Sequence, residues 1–127
     1  MLYIAIVIAL LLLSGLAITY ARFQSEITEA KENVLNGSEI LETDHGAIEY
    51  AVKGEGPPVL VLHGAGGGYD QGLLLPGRMI FGDDFKLISV SRFGYLRSPI
   101  PEDSSVEAQA VLYAILLDHL KVEKTIV

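Results

Sequence analysis

The chain has 127 residues, a formal net charge of −7 and no cysteine. This length allows at most one small domain, and the lack of cysteine excludes disulfides, thiol catalysis and cysteine-ligated metals. The acidic balance argues against nucleic acid as a partner, because phosphate binding needs a basic face.

The first 21 residues form an uncharged and almost wholly aliphatic run. About 20 helical residues, at about 1.5 Å each, span the bilayer's hydrocarbon core of about 30 Å. A secretory signal is the alternative, but no Lys or Arg precedes the run, and Thr19-Tyr20-Ala21 is a poor cleavage site. The pattern favours a single-pass membrane anchor over residues 1–21. Arg22 and Lys31 follow the span, so the positive-inside rule favours the cytoplasm for the soluble part, but Glu26, Glu29 and Glu32 dilute this signal and leave both sides open.

A polar segment with helical spacing follows the apolar run. We interpret residues 22–37 as a juxtamembrane helix or linker, closed by the stop signal Asn36-Gly37. Two short strand-like runs, 38–43 and 47–52, then flank Asp44-His45-Gly46, which predicts a β-hairpin.

Beyond Pro57-Pro58 the predicted strands and helices alternate. Strands are predicted at 59–62, 85–91 and 125–127, and helices at 71–81 and from Ser104 or Ser105 to about Lys121. Ser104 with Glu107 matches a capping box. This order predicts an α/β fold with a mainly parallel sheet.

The most informative segment is the apolar strand that runs into His63-Gly64-Ala65-Gly66-Gly67-Gly68. Its glycines do not complete a G-x-G-x-x-G, and no Gly-Lys-Ser/Thr follows, so nucleotide binding is disfavoured. The alternative is an oxyanion loop, in which backbone N–H groups stabilise the negative charge that acyl transfer builds on a carbonyl oxygen.

With this loop, the segment from Arg92 to Pro99 and the amphipathic helix after it, the sequence resembles the α/β-hydrolase family over residues 38–127. The resemblance implies an incomplete α/β-hydrolase-type sheet, a β-hairpin followed by β-α-β-α-β, and hydrolysis of an ester, acyl or related bond in a small molecule. It makes the Ala65 N–H one oxyanion donor. In this family the nucleophile elbow G-x-S-x-G follows the strand that here begins near Lys124.

No G-x-S-x-G occurs in the 127 residues. We therefore expect an N-terminal fragment of a membrane-anchored serine hydrolase, without nucleophile, acid or histidine base, and inactive by itself. The alternative is a non-catalytic, membrane-tethered interaction protein that uses a half α/β-hydrolase fold and pairs its sheet with a partner chain.

The candidate residues have competing structural interpretations. The oxyanion-loop candidates are His63, Gly64, Ala65, Gly66 and Gly67, and the weaker substrate-binding candidates are Asp70, Gln71 and Arg92.

At the strand end, His63 is expected to hold the loop by hydrogen bonding rather than to act as a base. Asp70 is expected to cap a helix, and Arg92 to tie loops together. A Gly66→Val change is expected to damage the loop by blocking close approach and any positive φ. No cofactor is implied, and His45, His63 and His119 are too scattered for a metal site.

Overall fold

The computed structural model describes residues 1–76 and 84–127. Contacts divide the chain into two units, Met1–Asn36 and Gly37–Val127. The helix predicted over 71–81 therefore lies partly outside the described residues.

The first unit is one helix, α1, spanning Leu2–Asn36. It continues without a break through the predicted junction at residues 21 and 22, and it ends just before Gly37, where the sequence predicts a stop. Its most apolar 18-residue window has a mean hydropathy of 2.6, so α1 is long and apolar enough to cross a membrane. A signal sequence near an N-terminus shares both properties.

The second unit contains a four-stranded sheet. Its strands are β1 (Glu39–Thr43), β2 (Gly46–Lys53), β3 (Pro58–Leu62) and β4 (Lys86–Val90), and their spatial order is β1-β2-β4-β3. The predicted hairpin joins β1 to β2, with Thr43 opposite Gly46. Gly46 has a φ of 112°, which a side chain would strain, and the Thr43 hydroxyl donates to its carbonyl at 2.7 Å.

The sheet is mixed rather than mainly parallel, so that expectation was wrong. The hairpin brings β2 against β4 in the antiparallel sense, whereas β3 and β4 run parallel. The strand predicted at 125–127 contributes one parallel bridge, between Ile126 and Val59, with the Leu60 N–H donating to the Ile126 carbonyl at 2.8 Å.

Two helices cover the two faces of this sheet. On one face, α3 (Val106–His119) packs Leu112 and Leu116 against an apolar cluster from three strands: Ile48, Tyr50, Leu60, Ile88 and Val90. On the other face lies α2 (Tyr69–Pro76), whose Leu73 packs against Val59, Val61 and Leu87. Burial on both faces explains why β3 is apolar throughout and why β4 is mostly apolar, with Leu87, Ile88 and Val90 buried.

The cap of α3 differs by one residue from the predicted capping box. Ser105 is the N-cap, and its hydroxyl accepts the Ala108 N–H at 3.1 Å. The Asp103 carboxylate accepts the Ser105 N–H at 3.0 Å, so Ser104 is not needed for the cap. Glu107 then lies at the second helical position, not the third that a capping box requires.

Candidate oxyanion loop

Residues 63–68 connect β3 to α2 at the carboxyl end of the parallel β3–β4 pair. The segment that follows β4 leaves the same edge, so the two loops meet there. Gly64, Ala65 and Gly66 are exposed. The N–H groups of Ala65, Gly66 and Gly67 donate to no acceptor in the described parts of the chain. Exposed backbone donors of this kind can bind a negatively charged oxygen.

The first residue of the loop, His63, is buried with 5% of its surface exposed. Its Nε2 accepts the Arg92 N–H at 3.0 Å, which leaves the ring proton on Nδ1 to donate to the Gly64 carbonyl at 2.6 Å. Its ring also contacts Tyr95 edge to face, with centroids 4.6 Å apart. Because both ring nitrogens are engaged by the backbone, His63 holds the loop to the end of β4 and has no nitrogen available as a general base.

The last residues of the loop are fixed to β4 by hydroxyl groups. The Tyr69 N–H donates to the Ser91 hydroxyl at 3.1 Å, and the Ser89 hydroxyl donates to the Tyr69 carbonyl at 2.7 Å. The Gly68 N–H donates to the Asp70 carboxylate at 3.0 Å. The loop is therefore tied at both ends and open in the middle, where its unpaired donors lie.

A buried carboxylate lies beneath this arrangement. Glu49, on β2, has no exposed surface and forms an ion pair with Arg97, whose Nε lies 2.8 Å from its Oε1. It also accepts hydrogen bonds from the Ser38 hydroxyl at 2.6 Å and the Ser91 hydroxyl at 2.8 Å. Burial by itself raises the pKa of Glu49, but the hydrogen bonds from Ser38, Arg97 and Ser91 more than offset this and hold the pKa below its usual value. Glu49 is therefore ionised at neutral pH.

The glycines of the loop differ in how much space each has for a side chain. A Cβ at Gly66 would meet only the Gln71 amide, at 3.4 Å, and Gly66 does not have a positive φ. A Cβ at Gly67 would lie 2.8 Å from Gln71 Cβ, and one at Gly68 would lie 2.4 Å from Leu96 Cδ1 and 2.8 Å from the Ser91 hydroxyl. The positive φ expected at Gly66 is therefore wrong, whereas the loss of close approach in Gly66→Val stays a prediction; the tight contacts within the protein lie at Gly67 and Gly68.

The substrate-binding candidates surround the loop in different ways. Asp70 accepts the Gly68 N–H, so its carboxylate stabilises the loop end, and the side chain of Gln71 lies against Gly66 and Gly67. Arg92 ties the loop through its backbone N–H, whereas its exposed side chain makes a long 3.5 Å contact with Gln109. Gln71 is thus the candidate whose side chain lies against two of the residues with exposed loop N–H groups, Gly66 and Gly67.

A groove of about 300 Å³ adjoins the loop on the α3 side. Its lining is mostly apolar and consists of Leu62, His63, Arg92, Val106, Gln109, Ala110 and Tyr113. The Tyr113 hydroxyl is buried without a hydrogen-bond partner in the described residues, and burial raises its pKa to about 12. An apolar cleft beside backbone donors has the composition of a small-molecule site.

The other histidines are remote from this site. His45 is exposed in the hairpin turn, and His119 is exposed in the last turn of α3. Within residues 1–76 and 84–127, no group of three His, Cys, Asp or Glu side chains could hold a metal ion.

Sequence reasoning missed Glu49, Tyr95 and Arg97. Glu49 interrupts an otherwise apolar strand between Ile48 and Tyr50, and an acidic residue in such a run was the available signal. Its partner Arg97 is 48 residues away, so no local spacing connects the two.

Comparisons with known proteins identify the fold. No family model matches the chain. The uncharacterized hydrolase YcgS of Bacillus subtilis is 33% identical over 86 residues, which are 67% of this chain and 29% of YcgS. An α/β-hydrolase fold protein from Nakamurella multipartita is 36% identical with a TM-score of 0.60, again over 67% of this chain and 29% of that protein.

A crystal structure of the N-acyl homoserine lactonase AidH shares the fold at 24% identity and a TM-score of 0.58. The match covers 69% of this chain and 34% of the lactonase. The chain thus spans about a third or less of these relatives. It has part of the α/β-hydrolase fold, and the family that it resembles is that of the α/β-hydrolase fold proteins.

Proposed function

We propose that the His63–Gly68 loop is one side of an oxyanion hole in a hydrolase that cleaves ester or acyl bonds. The observation that carries this proposal is a loop fixed at both ends, with N–H groups at Ala65, Gly66 and Gly67 between them that have no acceptor among the described residues. Donors that are positioned before the reaction stabilise an oxyanion most effectively, because they need no reorganisation when charge develops.

The nucleophile of this hydrolase is not among the 127 residues, which contain no G-x-S-x-G. We propose that residues outside this sequence supply the serine, the second oxyanion donor, the acid and the histidine base. These residues and the substrate-binding loops determine substrate specificity. The His63–Gly68 loop by itself indicates only the class of bond that is cleaved, an ester or acyl bond.

A chimera tests the role of the loop. The segment of the Nakamurella protein that matches this chain would be replaced by the matched residues of this chain, and hydrolysis of p-nitrophenyl butyrate would be measured. We expect the unmodified chain to show background hydrolysis only and the chimera to turn over the ester. Ala65→Pro removes one N–H and should lower kcat by about 10²–10³, with a much smaller effect on KM.

The matched control is Gly64→Ala in the same chimera. A Cβ at Gly64 meets no atom within 4 Å, and the change keeps every backbone donor. Equal kcat values for Ala65→Pro and Gly64→Ala would contradict the oxyanion role.

We also propose that α1 is an uncleaved, single-pass anchor that keeps the second unit in the cytoplasm. The absence of native cysteine makes a single introduced thiol a clean reporter. Glu55→Cys lies in an exposed loop of the second unit and should react with a membrane-impermeant maleimide only after the membrane is opened. Labelling of intact cells would refute the orientation, and release of the chain by alkaline carbonate would refute the anchor.

One observation favours the second candidate, a tethered interaction protein. The outer edge of β3 is engaged through the single bridge at Ile126, and the side chains of Leu62, Ile126 and Val127 are exposed. A strand from another chain could extend the sheet along this edge. A purified full chain that aggregates or unfolds non-cooperatively, both alone and with a partner chain added, would exclude this candidate.

A further inference from the structure

We propose that Glu49 is a positioning residue for the His63–Gly68 loop, which it controls through the Ser91 hydroxyl and the Tyr69 N–H. The inference rests on the proposed function only in giving the loop an oxyanion to bind. The positioning itself follows from contacts among residues that do not touch substrate.

Glu49 connects three separate segments at one end of the sheet. Its Oε1 accepts hydrogen bonds from the Ser38 hydroxyl and Arg97 Nε, and its Oε2 accepts them from the Ser91 hydroxyl and the Arg97 N–H. Arg97 also donates from Nη2 to the Ser38 carbonyl at 2.8 Å. The residue before β1, the end of β4 and the loop after β4 therefore share one buried acceptor.

The ionised carboxylate fixes the direction of the next hydrogen bond. A carboxylate can only accept, so the single proton of the Ser91 hydroxyl points to Glu49 Oε2. The lone pairs of Ser91 then face the Tyr69 N–H, which donates to them at 3.1 Å. The relay runs from Tyr69 to Ser91 to Glu49, and it fixes the peptide group that joins Gly68 to α2.

Close steric contacts at Gly68 also restrict the position of this peptide group. A Cβ at Gly68 would overlap both Leu96 and the Ser91 hydroxyl, so the backbone there lies directly on Ser91. A shift of Ser91 would therefore be transmitted to Gly68, which neighbours the unpaired N–H group of Gly67.

A glutamine at position 49 cannot reproduce the relay. Each carboxylate oxygen accepts a hydrogen bond from an N–H group that can only donate. This group is Arg97 Nε–H at Oε1 and the Arg97 backbone N–H at Oε2. Whichever way the amide of Glu49→Gln is turned, its NH₂ group faces one of these donors. The Arg97 loop must then move, and the orientation of the Ser91 hydroxyl is no longer imposed.

Ser98 provides a matched control for Ser91. Both hydroxyls are buried at the same end of the sheet, with 2% and 1% of their residues exposed. The Ser98 hydroxyl donates to the Ser91 carbonyl at 2.8 Å and accepts the Glu49 N–H at 2.9 Å. It contacts neither the Glu49 carboxylate nor the Tyr69 N–H, so Ser98→Ala removes two buried hydrogen bonds, as Ser91→Ala does, without breaking the relay.

Amide hydrogen exchange of the ¹⁵N-labelled full chain in detergent micelles tests the proposal. The readout is the exchange rate at Tyr69 divided by that at Ile88, a fully buried β4 residue that reports opening of the sheet. We expect Ser91→Ala and Glu49→Gln each to raise this ratio about tenfold, because the Tyr69 N–H loses its oriented acceptor. Ser98→Ala should leave the ratio unchanged.

Equal ratios for Ser91→Ala and Ser98→Ala would overturn the proposal, as would an unchanged ratio in a folded Glu49→Gln variant. If Glu49→Gln does not fold, the serine pair decides alone. The measurement needs no substrate, so failure of the ester-hydrolysis test and failure of this one are separate results.

Discussion

Gly72 lies where α2 packs too closely on the sheet for a side chain, and Gly72→Ala should destabilise the second unit although alanine is the better helix former. An added Cβ would lie 2.1 Å from Ser89 Oγ and 3.1 Å from Val61 Cγ1. The Ser89 hydroxyl could rotate away only by giving up its 2.7 Å hydrogen bond to the Tyr69 carbonyl. Helix propensity contributes about 1 kcal/mol in favour of alanine. Overpacking costs about 1–3 kcal/mol and the lost hydrogen bond about 1 kcal/mol, so the net loss is about 1–3 kcal/mol.

Urea unfolding of the full chain in detergent, followed by near-ultraviolet circular dichroism of its six tyrosines, measures this loss. Gly64→Ala is the control, because a Cβ there meets nothing within 4 Å. Combining Gly72→Ala with Ser89→Ala removes the hydroxyl in the way, so the pair should show a coupling free energy of about 1 kcal/mol. A Gly72→Ala variant that is as stable as the unmodified chain, or more so, would refute the close approach of α2 to Ser89.

Three further changes test individual groups. The pKa of Tyr113 rises on folding from 10.0 to about 12, so the stability that its neutral form contributes is complete below about pH 10 and is lost as the pH rises to about 12. The Tyr113→Phe variant should therefore keep up to about 3 kcal/mol more unfolding free energy than the unmodified chain as the pH rises from about 10 to about 12. A lower urea midpoint for this variant at pH 7 would contradict the absence of a hydrogen-bond partner for the Tyr113 hydroxyl among the described residues. His63→Ala removes the acceptor of the Arg92 N–H and should lower the free energy of unfolding by about 1–3 kcal/mol, with faster amide exchange at Arg92. Unchanged amide exchange at Arg92 would exclude this contact. Because folding lowers the pKa of Glu49, the stability that its ionised form contributes is present above about pH 4.5 and is lost as the pH falls through the folded-state pKa. The difference in unfolding free energy between the unmodified chain and Glu49→Gln should therefore become smaller on acidification. A difference that stays constant from pH 7 to pH 3 would refute this.

The backbone framework could be predicted because each of its signals is local. The hairpin follows from two short strand-like runs around Asp44-His45-Gly46, and β3 from an apolar run between Pro58 and a histidine. The order of the strands in space is not local. β2 pairs with β4 rather than with β3, so the antiparallel contact joins residues far apart in the chain: Lys53 lies opposite Leu87, 34 residues later. Alternation of strands and helices alone suggested a more parallel sheet.

The residues beneath the loop could not be predicted, because their roles depend on contacts across the sheet. Glu49 in an isolated β2 is a polar interruption, and Arg97 in isolation is a surface cation. Only the β2–β4 pairing, in which the Ser91 N–H donates to the Glu49 carbonyl at 2.8 Å, brings the carboxylate to the end of β4, where the Arg97 loop begins. The ion pair is therefore a consequence of the fold and carries no signature in spacing.

The glycine loop shows where sequence reasoning stops being sufficient. The composition of residues 64–68 identifies a backbone that can approach a ligand, but it does not distinguish glycines that free the backbone from glycines that fit against neighbours. In the structure Gly64 and Gly66 are open, whereas Gly67 and Gly68 have space for hydrogen only, against Gln71 and against Leu96 with Ser91. The open space at Gly66 leaves room for a ligand, and the close contacts of Gly67 and Gly68 let α2 and the Leu96 loop hold the backbone in place. A donor for an oxyanion needs both conditions, because an exposed N–H that is not held in position loses its advantage over water.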